Sequence, residues 1–199
     1  MEISVFTKNY SAPPINRKEI LRYLKAETET EELKKLIDEA LKEAETALCY
    51  KVVFCELPIC CDNGCLDLKF CKSYSKSLCK NLEGCDRIVL FAATVGVKFD
   101  MLTEKYNRIS PSKAVCLQAI GNERIESLCD AFNSDMTAKF GLTKPRFSPG
   151  YGDLPLSLQK HIFAVLDCHR KIGLTLNESI LMSPQKSVTA IIGIKKNLE

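Results

Sequence analysis

Residues 88–97 read IVLFAATVGV, ten positions without a charged or strongly polar side chain, closed by Arg87 and Lys98. The run is about half the length needed to span a bilayer, so it does not predict a membrane helix. An unbroken, β-branched and aromatic run of this length predicts instead a strand buried inside a sheet. The rest of the chain must cover that strand. With 199 residues, it suits one domain whose core removes roughly 70% of the unfolded surface from water.

The flanking segments supply the covering elements. PPINRKEILRYL (13–24) follows a short extended N-terminal stretch and predicts a helix. Residues 27–48 predict a second, highly charged helix, with Leu33, Leu36, Ile37, Ala40, Leu41, Ala44 and Leu48 along one face. YKVVFCEL (50–57) predicts a strand, and ICCDNGCLDLKF (59–70) a hairpin turning at Asp62-Asn63-Gly64. SYSKSLCKNLEG (73–84) is a short helix ended by Gly84, and VKFDMLTEKYNRI (97–109) is another.

Ser110 as N-cap and Pro111 at the first helical position open a long helix to Phe140. Its apolar stripe is Leu117, Ile120, Ile125, Leu128, Phe132, Met136 and Phe140. Gly121, inside this helix, implies close packing or a nearby ligand. A helix over about 155–167, a turn at Gly173 and two β-like stretches (174–182 and 187–195) complete the order. That order lacks strict βα alternation. It predicts a single α+β domain over 1–199, a mainly antiparallel twisted sheet flanked by helices.

Charge and motifs exclude several function classes. There are 28 Lys and Arg against 25 Asp and Glu, a net +3, and the basic residues are spread along the chain. No basic stripe suggests nucleic acid. No glycine-rich phosphate motif of the Rossmann or P-loop kind occurs. MEISVFTKNYSAPP lacks the apolar centre of a signal peptide, so the expectation is a cytoplasmic protein with reduced thiols.

Eleven cysteines are present, seven of them at 55, 60, 61, 65, 71, 79 and 85. Their spacing is irregular and matches no paired CxxC fingerprint, which favours buried structural thiols over a metal or cluster site. A cysteine-rich metal or redox protein stays open as an alternative. His161 and His169 have no partners that spacing would pair as ligands or catalytic groups. No catalytic residue and no metal ligand is assigned.

The stretch RFSPGYGDLP (146–155) differs from an ordinary linker. Pro149 fixes its own φ and holds Ser148 extended, so the backbone of residues 147–148 is expected to be presented rather than consumed. Gly150 allows close approach. Arg146 offers a planar, permanently charged fork suited to a carboxylate or phosphate. Tyr151 adds a flat face with a polar tip.

These residues resemble the Arg-x-x-x-Gly-Tyr-x-x-x-Pro motif of the activation domain of cobalamin-dependent methionine synthase. KIGLTLNESILMSPQKSVTAIIGI (171–194) is similar to the motif region that follows in that family, and AIGNERIESLCDAF (119–132) to its glutamate-bearing helix. Together they cover about 110–194, and the chain looks most like the family's short, free-standing members. Ser157 stands near the place where the long form carries a His.

The resemblance implies an α+β activation-domain fold and binding of S-adenosylmethionine by Glu126, Arg146, Ser148 (through its backbone), Gly150 and Tyr151. Arg146 would take the ligand's carboxylate and Glu126 its ammonium. It implies an accessory subunit that presents this methyl donor to cobalamin carried by a separate methionine synthase. A flavodoxin-like or ferredoxin-like protein would reduce cob(II)alamin. Reactivation of another corrinoid methyltransferase is the alternative.

Overall fold

The structure is a computed structural model and describes residues 3–62 and 65–196. Its centre is a four-stranded antiparallel sheet in the order β1-β2-β6-β9. The strands are β1 (Val5–Tyr10), β2 (Tyr50–Pro58), β6 (Cys85–Thr94) and β9 (Ser187–Lys195). Between them lie α1 (Arg17–Leu24), α2 (Glu31–Glu45), β3 (Cys60–Asp62), β4 (Cys65–Asp67), β5 (Lys72–Ser73), α3 (Lys76–Asn81), α4 (Val97–Ile109), α5 (Pro111–Phe140), α6 (Leu158–Leu166), α7 (Cys168–Ile172), β7 (Thr175–Leu176) and β8 (Met182–Ser183). The antiparallel α+β architecture expected from the sequence is the one observed.

The run at 88–97 is the inner strand β6, paired with β2 (Phe54 opposite Phe91) and β9 (Phe91 opposite Ala190). Its side chains alternate between two cores. Val89, Phe91 and Ala93 meet α1, α2 and α5 on one face. Ile88, Leu90 and Ala92 meet β4, α3, α6 and α7 on the other. Both faces are buried, which is why no charged residue interrupts the run, and its one hydroxyl, on Thr94, accepts from Ser187 Oγ at 2.8 Å.

Local differences have local causes. The extended N-terminus is the edge strand β1, registered on β2 from Val5–Cys55 to Tyr10–Tyr50. The second helix starts at Glu31, four residues later than expected, because the Thr30 hydroxyl accepts from the Leu33 N–H and caps it there. Ser110 opens α5 through its carbonyl, which accepts from Ala114 N, and its side chain makes no cap bond. It also closes α4 with its own N–H on Tyr106 O, so one residue serves two helix ends. The hairpin joins β3 to β4 as expected, but Asn63 and Gly64 at its turn lie outside the described residues.

Gly121 is explained by packing. A Cβ there would stand 2.5 Å from Phe99 Cε1 and 3.0 Å from the Lys186 side chain. The α5 stripe is otherwise as expected, with Leu117, Ile120, Leu128, Phe132 and Met136 buried. One buried feature was not anticipated. Glu123 and Arg124 are 1% and 2% exposed and form an ion pair. Arg124 also donates to Pro13 O (2.6 Å) and Pro14 O (2.8 Å), while Glu123 accepts from Asn16 N (2.9 Å). The pair ties the N-terminal segment to α5.

Candidate functional site

Beyond β9 the sheet is extended by a segment without regular strand structure. Phe147 N donates to Ile191 O (2.8 Å), and Ile191 N donates back to Phe147 O (2.9 Å). Lys144 N donates to Gly193 O at 2.8 Å. The segment carrying Arg146 is thereby fixed to the sheet edge. Residues 148–151 then form a tight turn, with Tyr151 N donating to Ser148 O (3.1 Å). Pro149 and Gly150 occupy its centre, and Gly150 has φ +93°, the left-handed region a side chain would resist.

This corrects part of the sequence reading. The backbone groups of residues 147–148 are mostly consumed, by β9 and by the turn. Of the N–H and C=O groups of Phe147 and Ser148, the Ser148 N–H alone takes no part in a backbone hydrogen bond among the described residues. Gly150 is required by its φ, and it does not line the cleft described next.

A cleft of about 530 Å³ opens between this segment, α3 and α5. It gathers Glu126, Arg146, Ser148 and Tyr151, four of the five residues singled out in the sequence. Tyr151 is 63% exposed, its ring packed edge-on to Phe147 at 6.2 Å between centroids. A larger cavity, about 670 Å³ between α4 and the start of β9, contains none of the five.

Arg146 does not wait empty-handed. Its guanidinium reaches α5, bonding Glu126 Oε2 (2.5 Å) and Asp130 Oδ1 (2.6 Å). Glu126 and Asp130 are four residues apart and so share a helix face. Burial alone would lower the Arg146 pKa, but the carboxylates of Asp130 and Glu126 outweigh it and raise it. The two residues expected to divide a zwitterionic ligand therefore pair with each other here.

The cleft also includes groups with no signal in the motif. Ser77 and Asn81, one turn apart on α3, form its floor. Asn81 Nδ2 donates to Pro145 O (3.2 Å), which fixes the amide so that Oδ1 is a buried acceptor without a partner. Asp153 anchors the far end of the loop: it accepts from Ser75 Oγ, from Lys76 N (2.8 Å) and from Ser77 N (3.1 Å). Those bonds, the one from Ser75 foremost, hold its carboxyl well below the usual range. Their signal is weak in sequence because α3 and the loop are some seventy residues apart.

The model of the vitamin B12-dependent methionine synthase activation domain matches residues 73–198. The chain belongs to that family. A crystal structure of the MetH reactivation domain bound to AdoHcy superposes on the activation-domain fold seen here with a TM-score of 0.75 at 15% identity, covering 100% of this chain and 80% of that one. No curated protein sequence matches.

Of the seven clustered cysteines only Cys55 is buried; Cys60 and Cys61 are exposed and Cys65, Cys71, Cys79 and Cys85 half-buried, so most of the cluster does not fill the core as the sequence led us to expect. Among the described residues no group of three or more His, Cys, Asp and Glu is placed to hold a metal ion. Cys55, Cys116, Cys129 and Cys168 are buried among apolar neighbours, and burial pushes Cys55, Cys129 and Cys168 up to about 12. Both histidines are exposed on their helices. No helix of the described residues is long and apolar enough to cross a membrane.

Proposed function

We propose that this chain binds S-adenosylmethionine in the cleft between α3, α5 and the 146–155 loop, as an accessory activation subunit in the cytoplasm. The partner is a separate cobalamin-bearing methionine synthase, with a flavodoxin-like or ferredoxin-like protein donating the electron. The single observation carrying the reading is the convergence of Glu126, Arg146, Ser148 and Tyr151 on one cleft in a chain of this family.

The residues present suit the ligand. Arg146 matches a carboxylate and Glu126 an ammonium, so a zwitterion inserted between them exchanges one ion pair for two. Asp130 keeps one side of the guanidinium oriented meanwhile. The Ser148 N–H and the unpartnered Asn81 Oδ1 offer one donor and one acceptor. Tyr151 and Phe147 form an aromatic wall on which a sulfonium or a flat base can rest. When bound, S-adenosylmethionine supplies a methyl group on a positively charged sulfur. The protein's part is to position it and to leave the open side of the cleft to the corrinoid partner.

Titration calorimetry with S-adenosylmethionine on the wild type and on Arg146→Ala tests this. The variant should lose about 1.5–3 kcal/mol of binding, the range for a charge-assisted bond. Equal affinity in the two proteins would remove Arg146 from the site.

A further inference from the structure

The cavity of about 670 Å³ between α4 and the start of β9 shares no residue with the cleft, and its lining includes a lysine held in place. The Lys186 carbonyl accepts from Val95 N at 3.1 Å. Its stem lies over Gly121 of α5, where a Cβ would stand 3.0 Å from both Cγ and Cε. Among the described residues its Nζ has one hydrogen-bond partner, the neutral Asn122 Oδ1 at 2.7 Å, and no carboxylate lies within ion-pair distance. A half-buried ammonium ordinarily recruits a carboxylate. Asp100 lines the same cavity, but its Oδ2 accepts from the backbone N–H of Gln185, the residue next to Lys186, at 2.7 Å. An amine and an acid therefore share one cavity without neutralising each other.

We infer that Lys186 is a carbonyl-capturing amine, which forms an imine with a small aldehyde carrying a carboxylate, and that Asp100 is the proton donor of that step. The Nζ lone pair attacks the aldehyde carbon, and one N–H proton passes to the oxygen, giving a carbinolamine. The Asp100 carboxyl then protonates the hydroxyl, water leaves, and the nitrogen lone pair closes the C=N bond. Amine, aldehyde and carboxylic acid become protonated imine, carboxylate and water. Burial lowers the pKa of Lys186 and raises that of Asp100, which favours the uncharged amine and the protonated acid that the two roles need.

The rest of the lining selects the class of aldehyde. The volume suits a small molecule. Arg108 is already bonded to Glu104 at 3.2 Å. Lys105 has no ion pair among the described residues, and it is the cation left to meet a carboxylate.

The test needs no cleft ligand, so its outcome is independent of the S-adenosylmethionine reading. The full chain is incubated with limiting glyoxylate and cyanoborohydride, which reduces imines to stable amines, and tryptic peptides are mapped by mass. A modified lysine resists trypsin, so the Lys186 adduct appears in a peptide spanning 172–195 in place of 172–186 and 187–195. Lys186 should be labelled about tenfold or more faster than the median lysine, as expected of a desolvated amine beside an acid. This ranking takes the other lysines of the same molecule as its reference, so it does not depend on any variant folding. Asp100→Asn should slow labelling at Lys186 and leave the other lysines unchanged. Lys105→Gln should reduce the preference of Lys186 for glyoxylate over acetaldehyde. Overturning results are labelling of Lys186 no faster than the median lysine, an Asp100→Asn rate equal to wild type, or equal labelling of Lys186 by the two aldehydes in wild type.

Discussion

At the scale of single residues, this protein depends on charges that are matched where water is scarce. Arg124 and Glu123 are the extreme case, with the guanidinium spanning a carboxylate and two proline carbonyls. Removing one partner of a buried pair leaves the other uncompensated, which costs about 3–5 kcal/mol. Arg124→Ala should lose that much in urea unfolding, with the N-terminal segment released first.

The surface acids set the pH limit. Hydrogen bonds from Lys8 and Tyr10 hold Asp135 below its ordinary value, Lys113 and Tyr106 do so for Glu43, and Ser75 leads the groups that depress Asp153. A depressed carboxyl stabilises the fold fully above its unfolded pKa of about 4, and that contribution is lost as pH falls through the folded value. Stability should thus be level from neutrality to about pH 5 and fall below pH 4. Replacing Asp153 with Asn should flatten the acid limb of a thermal-melt series; an unchanged limb would show that its bonds carry no stability.

At the scale of elements, α5 does two jobs. One side packs on the sheet, and the other presents Glu126 and Asp130 to the loop. Gly121 sets how near α4 and the β9 entrance approach it. Alanine is favoured over glycine in a helix by about 1 kcal/mol, but overpacking costs about 1–3 kcal/mol. The contacts at 2.5 and 3.0 Å make overpacking the larger effect. Gly121→Ala should lower the denaturant midpoint; a rise would mean that the Phe99 ring shifts freely.

At the scale of the whole molecule, the family match starts at residue 73, yet the sheet does not. β2 covers one edge of β6 along eight registered pairs, Lys51–Thr94 to Pro58–Arg87. A fragment 73–198 would expose that edge and the apolar face covered by α1 and α2. It should be insoluble or unfolded by circular dichroism, whereas the full chain melts as one unit. A soluble, cooperatively folded fragment would show two independent parts.

Much of this was legible in the sequence because it rests on periodicity and on backbone restrictions. An unbroken apolar run needs cover on both faces and helical spacing marks α2 and α5, whereas the turn centred on Pro149 and Gly150 came from the structure, the sequence having suggested a presented backbone there. Arg146, Ser148 and Tyr151 were singled out by a contiguous motif and Glu126 by the resemblance of its helix, and the structure brings the four to one cleft. Tertiary structure alone decided that Arg146 pairs with Glu126 and Asp130, that Asn81 and Ser77 floor the cleft, and that Asp153 anchors the loop to α3. The reason is physical. Those contacts join segments that only packing brings together, and a charge carries no mark in one dimension of the partner it will find in three.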